Sequence, residues 1–163
     1  MATIKLIVPL IALVGVGLAT ALVFRPKDGD EQLGPAVVIG ADTLEIEGVQ
    51  RKLASIVVPL PDQQCVDRNG QVWSCGQDAI RALRKLVGGT TILCRPHPGA
   101  EGLSDCFVDE KSLSELMVRQ GWALTCRAGG AGHSDEERNA RFLALGLWRG
   151  GFEPAAALEK CRG

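Results

Sequence analysis

The chain has 163 residues, 46% of them hydrophobic and 23% charged, with 18 basic side chains against 19 acidic ones for a formal charge of −1. That length supports one compact domain and leaves no room for a second, because a domain ordinarily takes roughly 100 to 200 residues. The charge balance supplies no long-range positive field to collect polyanions. A nucleic-acid partner is therefore disfavoured, since phosphate neutralisation by Lys and Arg provides most of the affinity in such complexes.

Leu6 to Phe24 runs 19 residues without a charge, between Lys5 and Arg25-Pro26-Lys27-Asp28. At about 1.5 Å per residue, a helix of this length reaches across the roughly 30 Å hydrocarbon core of a bilayer. Residues 1–25 are expected to form an N-terminal transmembrane anchor. A cleaved signal peptide is the alternative, because Ala19-Thr20-Ala21 offers a small-residue cleavage site, although Leu22-Val23-Phe24 prolong the apolar run beyond it. Gly15 with Ala19, and Gly17 with Ala21, set small residues four apart, a spacing that lets membrane helices pack closely. Positive residues on both flanks leave orientation open. Either way, the expected location of the globular domain is periplasmic or extracellular, tethered to a membrane or secreted after cleavage.

Residues 26–35 are charged, Gly-containing and poor in apolar side chains, so they read as a linker and the domain is expected over 36–163. Thr43 to Glu47 alternates apolar and polar residues, Gly48 turns the chain, and Gln50 to Val58 resumes an extended pattern, as in an antiparallel meander. Ser74 with Gln77 forms a capping-box pair ahead of Ala79, Ile80, Ala82, Leu83 and Leu86, one helical stripe closed by Gly88-Gly89. Strands are expected at Thr90 to Cys94 and Asp105 to Val108. Ser112 with Glu115 opens a second helix carrying Leu113, Leu116 and Met117 and stopping at Gly121. Ser134 with Glu137 opens a third, carrying Phe142, Leu143 and Leu145 and stopping near Gly146. About five strands and three helices predict an α+β domain, a small barrel flanked by helices.

Six cysteines, Cys65, Cys75, Cys94, Cys106, Cys126 and Cys161, all follow the apolar run, and none forms a CxxC pair. Zinc sites of the finger type need close Cys or His pairs, whereas His97 and His133 stand alone. An even count in an exported domain favours disulfides, although many pairings are possible and free buried thiols are the alternative. Position along the chain favours Cys65 with Cys75 around a polar loop, Cys94 with Cys106 on strands able to pair, and Cys126 with Cys161 tying back the tail. Trp73, between Gly70 and Cys75, is a candidate exposed anchor for a partner surface, with burial under the loop as the other possibility.

The segment Val38-Ile39-Gly40-Ala41-Asp42-Thr43-Leu44-Glu45-Ile46, followed by Arg51-Lys52-Leu53-Ala54-Ser55-Ile56-Val57-Val58-Pro59-Leu60, resembles the opening of the thermonuclease (staphylococcal-nuclease-like) family. Met117-Val118-Arg119-Gln120-Gly121-Trp122-Ala123 resembles its helix-to-strand motif, Leu145-Gly146-Leu147-Trp148 its terminal helix, and Gly151-Phe152-Glu153-Pro154 the exit common in bacterial members. The resemblance covers nearly all of Ala36 to Pro154. It implies a five-stranded OB-type β-barrel with three α-helices, core roles for Trp122 and Trp148, and paired Cys65 and Cys75 as in exported members.

The resemblance also implies what an active member needs: calcium held by carboxylates, a glutamate that activates or orients water, and two arginines against the phosphoryl oxygens. Here the family's Asp-Gly-Asp-Thr stands as Gly40-Ala41-Asp42-Thr43, so Asp42 is the one remaining metal-side carboxylate. The next ligand falls on Val57 and the glutamate on Leu60. Lys52 replaces the first arginine, unless Arg51 shifts register, which would turn its side chain to the opposite face of the strand. The second arginine falls on Glu101, and the chain has no tyrosine. Losing one transition-state donor typically costs about 100- to 1,000-fold in rate. The expected function is thus a catalytically inactive, cofactor-free, membrane-anchored domain that serves as an accessory or assembly subunit of a membrane protein complex. A feeble calcium-dependent nuclease using Asp42 and Lys52, and a non-catalytic binder of an oligonucleotide or other polymer, are the alternatives.

Overall fold

The computed structural model describes residues 30–126 and 133–150. Five strands form a closed barrel: β1 (Gln32–Val38), β2 (Thr43–Ile46), β3 (Val49–Leu53), and, after the intervening short strands and helix, β7 (Thr91–Pro96) and β8 (Leu103–Val108). The short strands are β4 (Ile56–Val57), β5 (Cys65–Val66) and β6 (Val72–Trp73), followed by helix α1 (Cys75–Val87). β1 pairs antiparallel with β2 and β7, β2 with β3, and β7 with β8. Parallel pairing of Lys52 with Leu103 and Leu53 with Ser104 joins β3 to β8 and shuts the barrel. That order, 1-2-3-5-4-1 among the five, is the arrangement of an OB-like barrel. β9 (Lys111–Ser112) continues the sheet beyond β8. Then come α2 (Leu113–Arg119), β10 (Leu124–Thr125) and α3 (Ser134–Phe142), and a 3-10 turn at Gly146–Arg149.

Period-2 alternation explains the well-read strands. Leu44 and Ile46 of β2, Ile92 and Cys94 of β7, and Cys106 and Val108 of β8 are buried, with their neighbours turned outward. The expected linker is corrected by β1, which begins at Gln32 and hydrogen-bonds along β7 through residues 32–35. Its polarity is reversed: Gln32 and Gly34 face inward while Leu33 and Val37 are exposed. Gln32 Oε1 accepts a 2.7 Å hydrogen bond from Arg51 Nε, while its buried Nε2 has no partner among the described residues. Gly34 leaves room for β2, since an added Cβ would lie 3.2 Å from Ile46 Cγ2. The expected extended run from Gln50 to Val58 also breaks in two. Ser55, at φ 63°, turns the chain so that β4 leaves the barrel and pairs with β10.

Helix α1 buries Ala79, Ile80, Ala82 and Leu83 as its stripe requires and ends at a left-handed Gly88, whose N–H returns to Arg84 O. Its expected capping box does not form. Ser74 makes no side-chain cap; its Oγ accepts from Gln64 Nε2, while Gln77 Nε2 donates to the Pro61 carbonyl. The box at α2 does supply its first half, with Glu115 N–H donating to Ser112 Oγ. His133 and not Ser134 occupies the N-cap position of α3, without a side-chain cap, and Glu137 accepts from Thr125 N–H at 2.7 Å, tying the helix to β10. Phe142, Leu143 and Leu145 are exposed, Phe142 at 88%, so α3 docks through Ala140 and not through the expected apolar stripe.

The main core fills the barrel and the space beneath α1 and α2. A second cluster joins Cys65, Cys75 and Leu147 with Trp73 and Trp122. Cys65–Cys75 and Cys94–Cys106 are disulfides, with Cα separations of 5.7 and 4.1 Å. Cys126 is also disulfide-bonded, and its expected partner Cys161 lies outside the described residues. So do residues 1–25, with Gly15, Gly17, Ala19 and Ala21. Among the described residues, no helix is long and apolar enough to cross a membrane.

Candidate functional site

A cleft of about 720 Å³ opens over the β2–β3 hairpin and the loop after β4; Asp42, Lys52, Ser55, Val57, Leu60 and His97 are among its lining residues. The turn before β2 is held by Ile39 and Gly40 N–H groups, both donating to Thr43 O at 3.1 Å. Asp42 itself is pinned by Leu53 N–H on its carbonyl oxygen at 2.7 Å. Cross-strand pairing sets Thr43 opposite Lys52, on the outward face. As a result the Asp42 carboxylate accepts from Thr43 Oγ1 at 2.8 Å and lies 3.7 Å from Lys52 Nζ.

Arg51 does not reach the cleft. It points into the barrel, 3% exposed, bonded to Gln32 Oε1 and to the Asp30 carbonyl at 2.9 Å. Pleating alternates side chains between faces, so adjacent Lys52 looks into the cleft and Arg51 cannot. Val57 is buried in the β4–β10 ladder opposite Leu124, giving the cleft an apolar floor. Leu60 stands on the rim, 53% exposed. Glu101 lies in the exposed turn between β7 and β8 and is not a lining residue. The structure thus gathers Asp42, Lys52, Val57 and Leu60 at one cleft and leaves Glu101 outside it.

A calcium ion does not fit this donor set. The Asp42 carboxylate is already engaged by a hydroxyl and an ammonium, its neighbours across the cleft are valine and leucine, and calcium takes about 6 to 8 oxygen ligands. Among the described residues, no three His, Cys, Asp or Glu side chains are grouped to hold a metal ion.

The sequence reading missed one polar pair at this cleft. His97 Nδ1 lies 2.9 and 3.0 Å from the two carboxylate oxygens of Asp105, across the β7–β8 hairpin. Only the register of that hairpin brings them together, and no local motif announces it. Trp73, for which the sequence left exposure and burial open, is half-buried. Its ring packs edge-on to Trp122 at 6.2 Å, with the Arg149 guanidinium 3.4 Å above its centroid. Its Nε1 is buried without a hydrogen-bond partner among the described residues, and its ring packs against the second cluster.

No protein-family model matches the chain. It is similar to the succinoglycan biosynthesis protein ExoI of Rhizobium meliloti (strain 1021), with 26% identity over 151 residues that cover 88% of this chain and 79% of that protein.

Proposed function

We propose that this chain is a thermonuclease-like domain without hydrolytic activity, anchored outside the cytoplasm by its N-terminal apolar run and acting as a protein-binding accessory or assembly subunit of a membrane complex. The observation that carries the reading is the cleft beside Asp42. Its lone acid on the metal side is bridged to Lys52 and Thr43, and valine and leucine occupy the positions where the family resemblance calls for a ligand and a water-orienting carboxylate. Neither side chain can hold a metal or move a proton, and the missing arginine removes charge stabilisation from a phosphoryl transition state. Similarity to a protein named for succinoglycan biosynthesis is compatible with a role in a biosynthetic process.

Two measurements test the proposal. Purified protein incubated with calcium and single-stranded DNA is expected to leave the strand intact; cleavage that disappears in Asp42→Ala overturns the inactive reading. Extraction in mild detergent is expected to bring down a stoichiometric membrane companion, and a monomer with none overturns the subunit role.

A further inference from the structure

Three elements converge on a second concavity of about 740 Å³, lined by residues of α1, the exit of α2 and the 3-10 turn. Arg81, Arg84 and Lys85 come from the last two turns of α1, where spacings of three and four place them on neighbouring parts of one face. Gln120 and Trp122 come from the exit of α2, and Arg149 from the 3-10 turn. Asp78 stands between two of the cations. It pairs with Arg81 and accepts from Arg149 Nη2 at 3.3 Å, and the Arg149 guanidinium also sits over the Trp73 ring.

Asp78 and the Trp73 ring therefore fix one guanidinium in place. Arg84 and Lys85, by contrast, form no ion pair among the described residues. Complementing the negative end of the α1 dipole accounts for their placement at that terminus, but not for Arg149 arriving from a distant part of the chain. The size lies within the range of small-ligand sites, roughly 300 to 1,000 Å³.

We propose that this concavity binds an acidic oligosaccharide, with sugar carboxylates on Arg84 and Lys85, hydroxyls on Asp78 and Gln120, and a ring face against Trp122. The mixed chemistry decides the class. A polyhydroxylated chain with sparse charge uses a carboxylate acceptor, an amide and an aromatic face together with cations. A nucleic-acid strand would set a continuous row of phosphates against Asp78, and it binds best to successive stacking aromatics inside a positive groove, which a chain of charge −1 with one lining aromatic does not offer. The site is separate from the cleft beside Asp42 and does not depend on the function proposed for that cleft.

Titration calorimetry on the full chain in detergent tests it with hexagalacturonate, maltohexaose and a single-stranded DNA hexanucleotide as probes. Hexagalacturonate is expected to bind and the neutral maltohexaose not to. Arg84→Gln and Lys85→Gln should each weaken binding about tenfold, the worth of one hydrogen bond to a charged group. Both positions are exposed, so the variants are expected to keep the wild-type circular dichroism spectrum and melting curve. The proposal is overturned if hexagalacturonate does not bind, if the two sugars bind alike, if the DNA probe binds as tightly as the acidic sugar, or if Lys52→Gln weakens binding while the Arg84 and Lys85 variants do not.

Discussion

Gly76 has no space for a side chain. A Cβ there would collide with the Leu60 carbonyl oxygen and stand 2.8 Å from that of Pro61, so the first turn of α1 lies directly on the loop that forms the cleft rim. The contact is drawn tight by Gly76 N–H donating to Gln63 O at 3.2 Å and by the neighbouring bond from Gln77 to Pro61. Gly76→Ala should destabilise the fold by about 1–3 kcal/mol, the usual cost of overpacking, because backbone must move to make room. Urea unfolding checks this, and a change within experimental error would mean that the rim yields freely. Arg51 shows a different residue-scale logic. A charge one position away from Lys52 serves the barrel interior, through Gln32 and the Asp30 carbonyl, while Lys52 serves the cleft.

At the scale of elements, the three capping signals in the sequence have three different outcomes. Ser112 caps α2 directly. Ser74 bonds outside its helix, and Glu137 turns away from its own cap to hold β10. A side-chain oxygen satisfies an orphan helix N–H only where the chain entering the helix presents it, and the entry to α1 is governed by the loop packed on Gly76. Ser112→Ala should therefore cost about 1 kcal/mol, while Ser74→Ala should stay within about 0.5 kcal/mol. Chemical denaturation of the two variants side by side tests the assignment, and equal losses would contradict it.

For the molecule as a whole, closure rests on two long-range joints, the parallel β3–β8 pairing and the antiparallel β1–β7 pairing, while the local β7–β8 hairpin is pinned from inside by Cys94–Cys106. The bridge spans 12 residues of sequence, so its removal in the Cys94→Ala, Cys106→Ala pair should lower stability by about 3 kcal/mol through the freed unfolded chain. Urea titration under oxidising conditions measures it, and a loss below about 1 kcal/mol would show that the hairpin needs no staple.

Much of this architecture is legible locally. The alternation in β2 and β8, the α1 stripe with its terminal glycines, and the two short-range cysteine pairs each need only a few neighbouring residues, because strand and helix periods and short loop closures are properties of contiguous chain. Tertiary structure alone decided that residues 32–35 form a barrel strand with its polar side inward, that Arg51 is enclosed, and that Trp73 lies under Arg149. The same holds for the convergence of Arg149 with Arg81, Arg84 and Lys85, since strand register and the packing of distant segments set which charges meet, and no local period encodes either.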